Sequence, residues 1–138
     1  MYSEKQGIFA SMVSGKGRLN RLAYFGRNVL LAVIFFFIFI ICYFIDEGTG
    51  PVTKAAGVLF IIPEYFLNLQ RMHDIGKYLW LAPLSAILNV ISTVFMDFST
   101  MDSPNAVAIL ALFIGLYMLF WKGQEGENEY GPDPLAKP

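Results

Sequence analysis

Three polar residues near the middle of the chain carry side chains that could do chemistry: Arg71, His73 and Asp74. Arg71 and Asp74 are three residues apart, so they can form an ion pair if a helix continues through them. His73, the single histidine of the chain, can exchange a proton near neutral pH. The sequence shows no nucleophile in a recognisable context, and one histidine with one aspartate falls short of a metal site. We expect a structured connection in which these groups bind one another, without a catalytic, cofactor or metal role.

Glu64 is a second candidate, because it falls inside an apolar run. An ionisable residue within a membrane span is a functional-site hypothesis by default. Its spacing to Asn68 and Arg71 puts all three on roughly one helix face. We expect the Glu64 carboxylate to reach Arg71 or to pair with an arginine of the N-terminal segment. The candidate polar cluster therefore consists of Arg18, Arg21, Glu64, Asn68, Arg71, His73 and Asp74.

The composition is that of a membrane protein. Of 138 residues, 56% are hydrophobic and 15% charged, which a soluble domain of this size could not bury. The net charge of −1 argues against nucleic acid as a partner. The single cysteine, Cys42, lies in an apolar run, so neither a disulfide framework nor a thiolate metal cluster is available.

Four apolar runs predict an all-α polytopic bundle of four transmembrane helices, with spans at about 29–45, 53–69, 78–96 and 105–121. Residues 1–28 form a cytoplasmic amphipathic and basic segment, and residues 122–138 an acidic cytoplasmic tail. Within the first segment, helical spacing of apolar residues predicts a short helix from Tyr2 to Ser14, started by a capping pair of Ser3 and Gln6. That helix either lies on the membrane surface or packs against the bundle.

Two further patterns concern how the spans pack. Polar residues recur along one face of the third span and should point into the bundle, where they find partners: Ser85, Asn89, Ser92 and Thr93. Ala111 and Gly115 in the fourth span are four residues apart and predict a close contact with a neighbouring helix.

The distribution of Lys and Arg predicts the orientation. Nine of these residues precede the first span, lie between spans two and three, or follow span four, whereas the other side has only Lys54. The positive-inside rule therefore places both termini and residues 68–77 in the cytoplasm. The acidic turns at 46–51 and 97–102 then lie outside, and Ser103 with Pro104 would start the fourth helix.

Three motifs carry a resemblance to a known family. Gly-Arg-Leu-Asn-Arg-Leu-Ala-Tyr-Phe at 17–25, Gln-Arg-Met-His-Asp-Ile-Gly-Lys at 70–77 and Tyr-Gly-Pro-Asp-Pro at 130–134 occur in the same order as in the bacterial inner-membrane family called domain of unknown function 805. The resemblance covers nearly the whole chain. It implies a small polytopic inner-membrane protein and no particular activity. Here Ala23 replaces an acid of the family pattern, and Gln70 replaces the first of two arginines. The tail motif consists of Tyr130, Gly131, Pro132, Asp133 and Pro134.

Three functions remain open at this stage. The first is a non-catalytic membrane protein whose cytoplasmic face binds anionic lipid headgroups, a protein partner or a second copy of the chain. The second is a small transporter or channel that uses Glu64 and the polar stripe of the third span. The third, a lipid-modifying enzyme, rests only on His73 and Asp74.

Reporter fusions test the predicted orientation. A reporter fused at Asp46 should report an external position and one fused at Asp74 a cytoplasmic position, because basic loops stay inside. A cytoplasmic signal at Asp46 would refute the four-span arrangement.

Overall fold

The structure, a computed structural model, describes residues 7–47, 50–95 and 106–136. These residues form five helices in chain order and no strand, which confirms the all-α prediction for the described part of the chain. The helices are α1 (Ile8–Ser11), α2 (Arg21–Asp46), α3 (Pro51–Ile75), α4 (Leu81–Phe95) and α5 (Ala106–Phe120).

The helices α2 to α5 each overlap one of the four predicted spans. With 26 and 25 residues, α2 and α3 are long and apolar enough to cross a membrane, whereas α4 and α5 are apolar helices of 15 residues. Both long helices extend beyond the predicted spans. In particular, α3 continues to Ile75, so Arg71, His73 and Asp74 belong to its last turns. The predicted second span ended at about residue 69, whereas the helix runs on to Ile75 and ends at Gly76.

Local signals explain where these helices begin and end. The Asn20 side chain accepts a hydrogen bond from the Ala23 amide at 2.9 Å and caps α2. The Asp46 carboxylate accepts hydrogen bonds from the amides of Val52 and Thr53 at the start of α3. Gly76, with φ of 69°, adopts the left-handed conformation that ends α3. The Asp46 side chain, at the end of α2, therefore also caps the start of α3.

The core lies at one end of the bundle. α3 packs against both α2 and α4, and α5 packs mainly against α4. The most completely buried apolar side chains are those of Leu67, Met72, Ala82 and Met118, which surround the last turns of α3. Large side chains along the rest of α2 are exposed, as expected for a surface that faces lipid: Phe36, Phe37, Ile41 and Phe44.

The N-terminal helix is shorter than predicted within the described residues. α1 is one turn, in which Ser11 is buried, and Met12 immediately after it is buried as well. Ile8 and Phe9 are exposed. One side of this segment therefore packs on the bundle and the other is free. The predicted capping pair of Ser3 and Gln6, the acidic turn at 97–102 and the Ser103-Pro104 helix start lie outside the described residues.

The closest helix contact at a glycine is at Gly57 rather than at the predicted Gly115. A methyl group added at Gly57 would lie 2.7 Å from Cγ2 of Thr93, so α3 and α4 are in direct contact there. A methyl group at Gly115 would meet no atom within 4 Å. The small-residue pattern of α5 does not identify a close contact among the described residues.

The two glycines should respond in opposite ways to alanine. Gly115→Ala should raise the free energy of unfolding by about 1 kcal/mol, because alanine favours helix and nothing obstructs it. Gly57→Ala should lower it by about 1–3 kcal/mol, because the β-branched Thr93 cannot turn aside easily. Unfolding of the detergent-solubilised protein measures both, and similar effects at the two positions would show that α3 and α4 are not tightly packed.

Candidate functional site

Arg71 lies at the centre of a buried ion-pair cluster at the core end of the bundle. Its side chain has 0% relative exposure, and its Nη1 forms an ion pair with Oδ2 of Asp74 one turn later. The guanidinium also donates hydrogen bonds to three carbonyl oxygens, those of Met118 at 2.7 Å, Leu19 at 3.1 Å and Trp121. Arg71 thus joins the end of α3 to the N-terminal segment and to the end of α5.

Arg18 binds the same aspartate from the other side. Its Nε donates to Oδ1 of Asp74 at 3.1 Å, and its side chain is only 1% exposed. Its remaining donors reach carbonyl oxygens of the C-terminal tail, at Gly126 with 2.6 Å, at Gly131 with 3.3 Å and at Gln124. We call Arg18, Arg71 and Asp74 the clasp.

The clasp holds two positive charges and one negative charge, and backbone dipoles offset the imbalance. The last carbonyls of a helix lack partners within the helix and carry partial negative charge. Arg71 donates to such a carbonyl at Met118, near the end of α5, and to that of Trp121, which follows the helix. The oxygen atoms of Asp74, these two carbonyls and the tail carbonyls that Arg18 binds together satisfy both guanidinium groups.

Gln70 and His73 attach flanking segments to the same helix turn. The amide of Gln70 donates to the carbonyl oxygens of Ser11, at 2.8 Å, and Ser14. Nδ1 of His73 lies 3.2 Å from the carbonyl oxygen of Gly17, which makes this nitrogen the donor. Gln70, which departs from the family pattern, therefore has a defined role in holding the N-terminal segment.

The C-terminal tail folds over the clasp. The Tyr130 ring stacks on His73, with ring centroids 3.9 Å apart and planes 2° apart. Asn128 and Gly131 exchange two backbone hydrogen bonds. Asp133 accepts hydrogen bonds from the amides of Leu135 and Gly126, which lower the pKa of its carboxyl group. The tail motif thus forms a compact loop that presents backbone oxygens to Arg18. Pro132 and Pro134 contribute less to these hydrogen bonds and to the ring stacking, and Pro134 is exposed.

The remaining candidates are not part of the clasp. Asn68 accepts a hydrogen bond from the Tyr24 hydroxyl at 2.8 Å and donates to Ser85 at 3.1 Å. Arg21 is exposed and lines a cavity of about 230 Å³ beside the clasp. Glu64 accepts a hydrogen bond from Asn89 at 3.0 Å.

The structure confirms one predicted ion pair and corrects another. Arg71 and Asp74 pair as their spacing suggested. The expected ion pair between Glu64 and an arginine was wrong, because Asp74 takes that role and binds Arg18. Tyr24 and Asn128, whose side chain donates to the His73 carbonyl oxygen at 3.0 Å, were missed. Tyr24 stands within the stretch that resembles the family, which was the available signal.

The polar side chains of this arrangement bind parts of the protein to one another. Each oxygen of Asp74 faces a guanidinium group, and the His73 ring is stacked and hydrogen-bonded. In the part of the chain that the structure describes, no group of three His, Cys, Asp or Glu side chains is placed to hold a metal ion. The side chains that could do chemistry instead join the N-terminal segment, the end of α3 and the tail.

Apolar helices joined at one end by a buried ion-pair cluster define the class, an all-helical membrane protein. The family model "Protein of unknown function (DUF805)" matches residues 12–132, and the chain belongs to this family. It is similar to the "Inner membrane protein YhaH" of Escherichia coli strain K12, with 24% identity over 140 residues that cover 95% of each chain. The protein of the same name from E. coli O157:H7 matches equally. No solved structure matches the chain.

A double-mutant cycle tests the clasp. Asp74→Asn should lower the free energy of unfolding by about 3–5 kcal/mol, because two buried guanidinium groups lose their shared counter-ion. Arg18→Met should lower the free energy of unfolding less in the Asp74→Asn variant than in the parent protein. The difference should be about 1 kcal/mol or more. Denaturation in detergent, followed by tryptophan fluorescence, measures both.

The exposed ion pair of Lys122 and Glu125 is the matched control. It has the same three-residue spacing as Arg71 and Asp74, but its side chains are 69% and 81% exposed. Replacing both by glutamine should leave the unfolding midpoint unchanged. Additive losses at Arg18 and Asp74 would show that the clasp does not act as a unit.

Proposed function

We propose that this protein is a non-catalytic, multi-pass inner-membrane protein whose cytoplasmic face binds anionic lipid headgroups. In this proposal α2 to α5 are four spans, both termini are cytoplasmic, and the clasp lies at the cytoplasmic end. Support for the location comes from the name of the E. coli relatives, "Inner membrane protein YhaH". Support for the orientation comes from the excess of Lys and Arg on that side.

The observation that carries the proposal is the division of the basic residues into two groups. Arg18 and Arg71 are buried and bound within the protein. Lys16, Arg21 and Lys77 are exposed at the same end of the bundle, and none of them is in an ion pair among the described residues. Three basic side chains are therefore available to an external anion.

The surroundings of these basic residues favour a membrane surface as the source of the anion. Phe25, Tyr78, Trp80 and Trp121 are exposed at the same end, where Trp and Tyr typically lie among lipid headgroups. The exposed Ile8, Phe9 and Val13 add an apolar surface next to Lys16. Basic side chains beside amphipathic aromatic rings are typical of a bilayer interface.

The absence of a catalytic role in this proposal follows from how the candidate groups are used. An acid or base must reach a substrate proton. Asp74 is held by two guanidinium groups, and His73 lies between the Gly17 carbonyl and the Tyr130 ring. Both residues are therefore engaged in joining segments of the protein.

Lipid titration tests the headgroup proposal. Phosphatidylglycerol added to the protein in neutral detergent should raise the thermal midpoint followed by tryptophan fluorescence, because a ligand of the native state stabilises it. Changing Lys16, Arg21 and Lys77 together to glutamine should raise the half-saturating lipid concentration up to about a hundredfold, at about 1 kcal/mol per basic residue.

Lys54→Gln provides the control, because Lys54 lies near the start of α3, at the opposite end of that helix from the clasp. It should leave the phosphatidylglycerol response unchanged, and phosphatidylcholine should have little effect on either protein. An unchanged lipid response in the triple variant would refute headgroup binding. A photo-crosslinker at residue 77 that captured a specific protein in cells would then indicate that this face binds a protein partner instead.

A further inference from the structure

A second site lies away from the clasp, in the middle of the bundle. α2, α3 and α4 line a partly open cavity of about 550 Å³, within the range of pockets that hold small organic molecules. Glu64 lines it from α3, together with Asn28 of α2 and with Asn89 and Thr93 of α4. The clasp and the headgroup proposal use none of these four residues.

Glu64 is the one acidic side chain on the wall of this cavity. Its hydrogen-bond partners are the neutral side-chain amides of Asn89, at 3.0 Å, and Asn68. The ion pairs of the described residues involve Asp74 and Glu125 but not Glu64. An ionised carboxylate in a medium of low dielectric constant requires a positive partner. Without such a partner the buried carboxyl group is favoured in its neutral form, so the cavity offers an acidic group that a bound cation would ionise.

The rest of the wall indicates the chemistry of the missing partner. Phe35 and Phe60 line the same cavity, with ring centroids 4.7 Å apart. The faces of aromatic rings attract cations that have lost their hydration water. A divalent metal ion is a poor match, because a single carboxylate is far from the several oxygen ligands that such ions take. One carboxylate beside aromatic rings suits an organic cation with apolar substituents.

We propose that this cavity is a binding site for a lipophilic organic monocation. The positive centre lies against the Glu64 carboxylate, and the apolar substituents pack against Phe35 and Phe60. The cavity does not use the residues proposed to bind headgroups, so this proposal can be tested independently of headgroup binding.

Two ions of similar shape and opposite charge test the proposal. The full chain in lipid nanodiscs is equilibrated with radiolabelled tetraphenylphosphonium or with tetraphenylborate, and empty nanodiscs give the uptake by lipid alone. The protein should bind the phosphonium saturably, with one site per chain, and the borate no more than the lipid does. Glu64→Gln should weaken phosphonium binding about tenfold or more, corresponding to about 1.4 kcal/mol or more.

A second variant separates the cavity from the charge. Ala32→Phe adds a ring to the cavity wall on α2 while Glu64 is kept, and it should also remove saturable binding. Glu47→Gln, at the exposed end of α2, should bind like the parent. Circular dichroism confirms that each variant is folded. Uptake equal to that of empty nanodiscs, equal binding of both ions, or full affinity in Glu64→Gln would each overturn the proposal.

Discussion

The packed end of the protein depends on the ion pairs that the Asp74 carboxylate forms with Arg18 and Arg71. Two guanidinium groups that belong to distant parts of the chain meet at its two oxygen atoms. Without that shared anion, their burial would leave two like charges together in a region of low dielectric constant. Arg71 also binds a carbonyl oxygen of α5, and Arg18 binds carbonyl oxygens of the tail. One side chain therefore organises the N-terminal segment, α3, α5 and the tail around itself.

The bundle divides into a tightly joined end and a more open middle. Near the clasp, polar groups bind each other directly, and glycines allow this close approach. A side chain at Gly123 would collide with the Asp74 carboxylate. Further along α3, between α2 and α4, the cavity beside Glu64 leaves polar groups without such dense packing. The first arrangement supports stability and the second leaves room for a ligand, so the two acidic residues of α3 have different roles.

The sequence predicted those features that depend on local spacing. Long apolar runs identified α2 to α5, and the three-residue interval identified the pair of Arg71 and Asp74. The partner of Arg18 was not predictable in this way, because the contact joins residues 56 positions apart and has no periodic signal. The carbonyl acceptors at Leu19, Met118 and Trp121 could not be predicted either, because every residue type carries a backbone oxygen. The end of α3 was misplaced because buried polar residues were interpreted as a loop.

The hydrogen bonds of Arg18 have a consequence for how the chain assembles. Its partners at Gln124, Gly126 and Gly131 lie more than 100 residues later, so they are synthesised last. Contacts between distant parts of a chain form late, after the intervening segments are in place. Binding of the tail to Arg18 therefore follows the formation of every helix between them. A nascent chain interrupted before its tail leaves the Arg18 guanidinium without these three carbonyl acceptors, so the N-terminal segment of an incomplete molecule is held less firmly than that of a complete one.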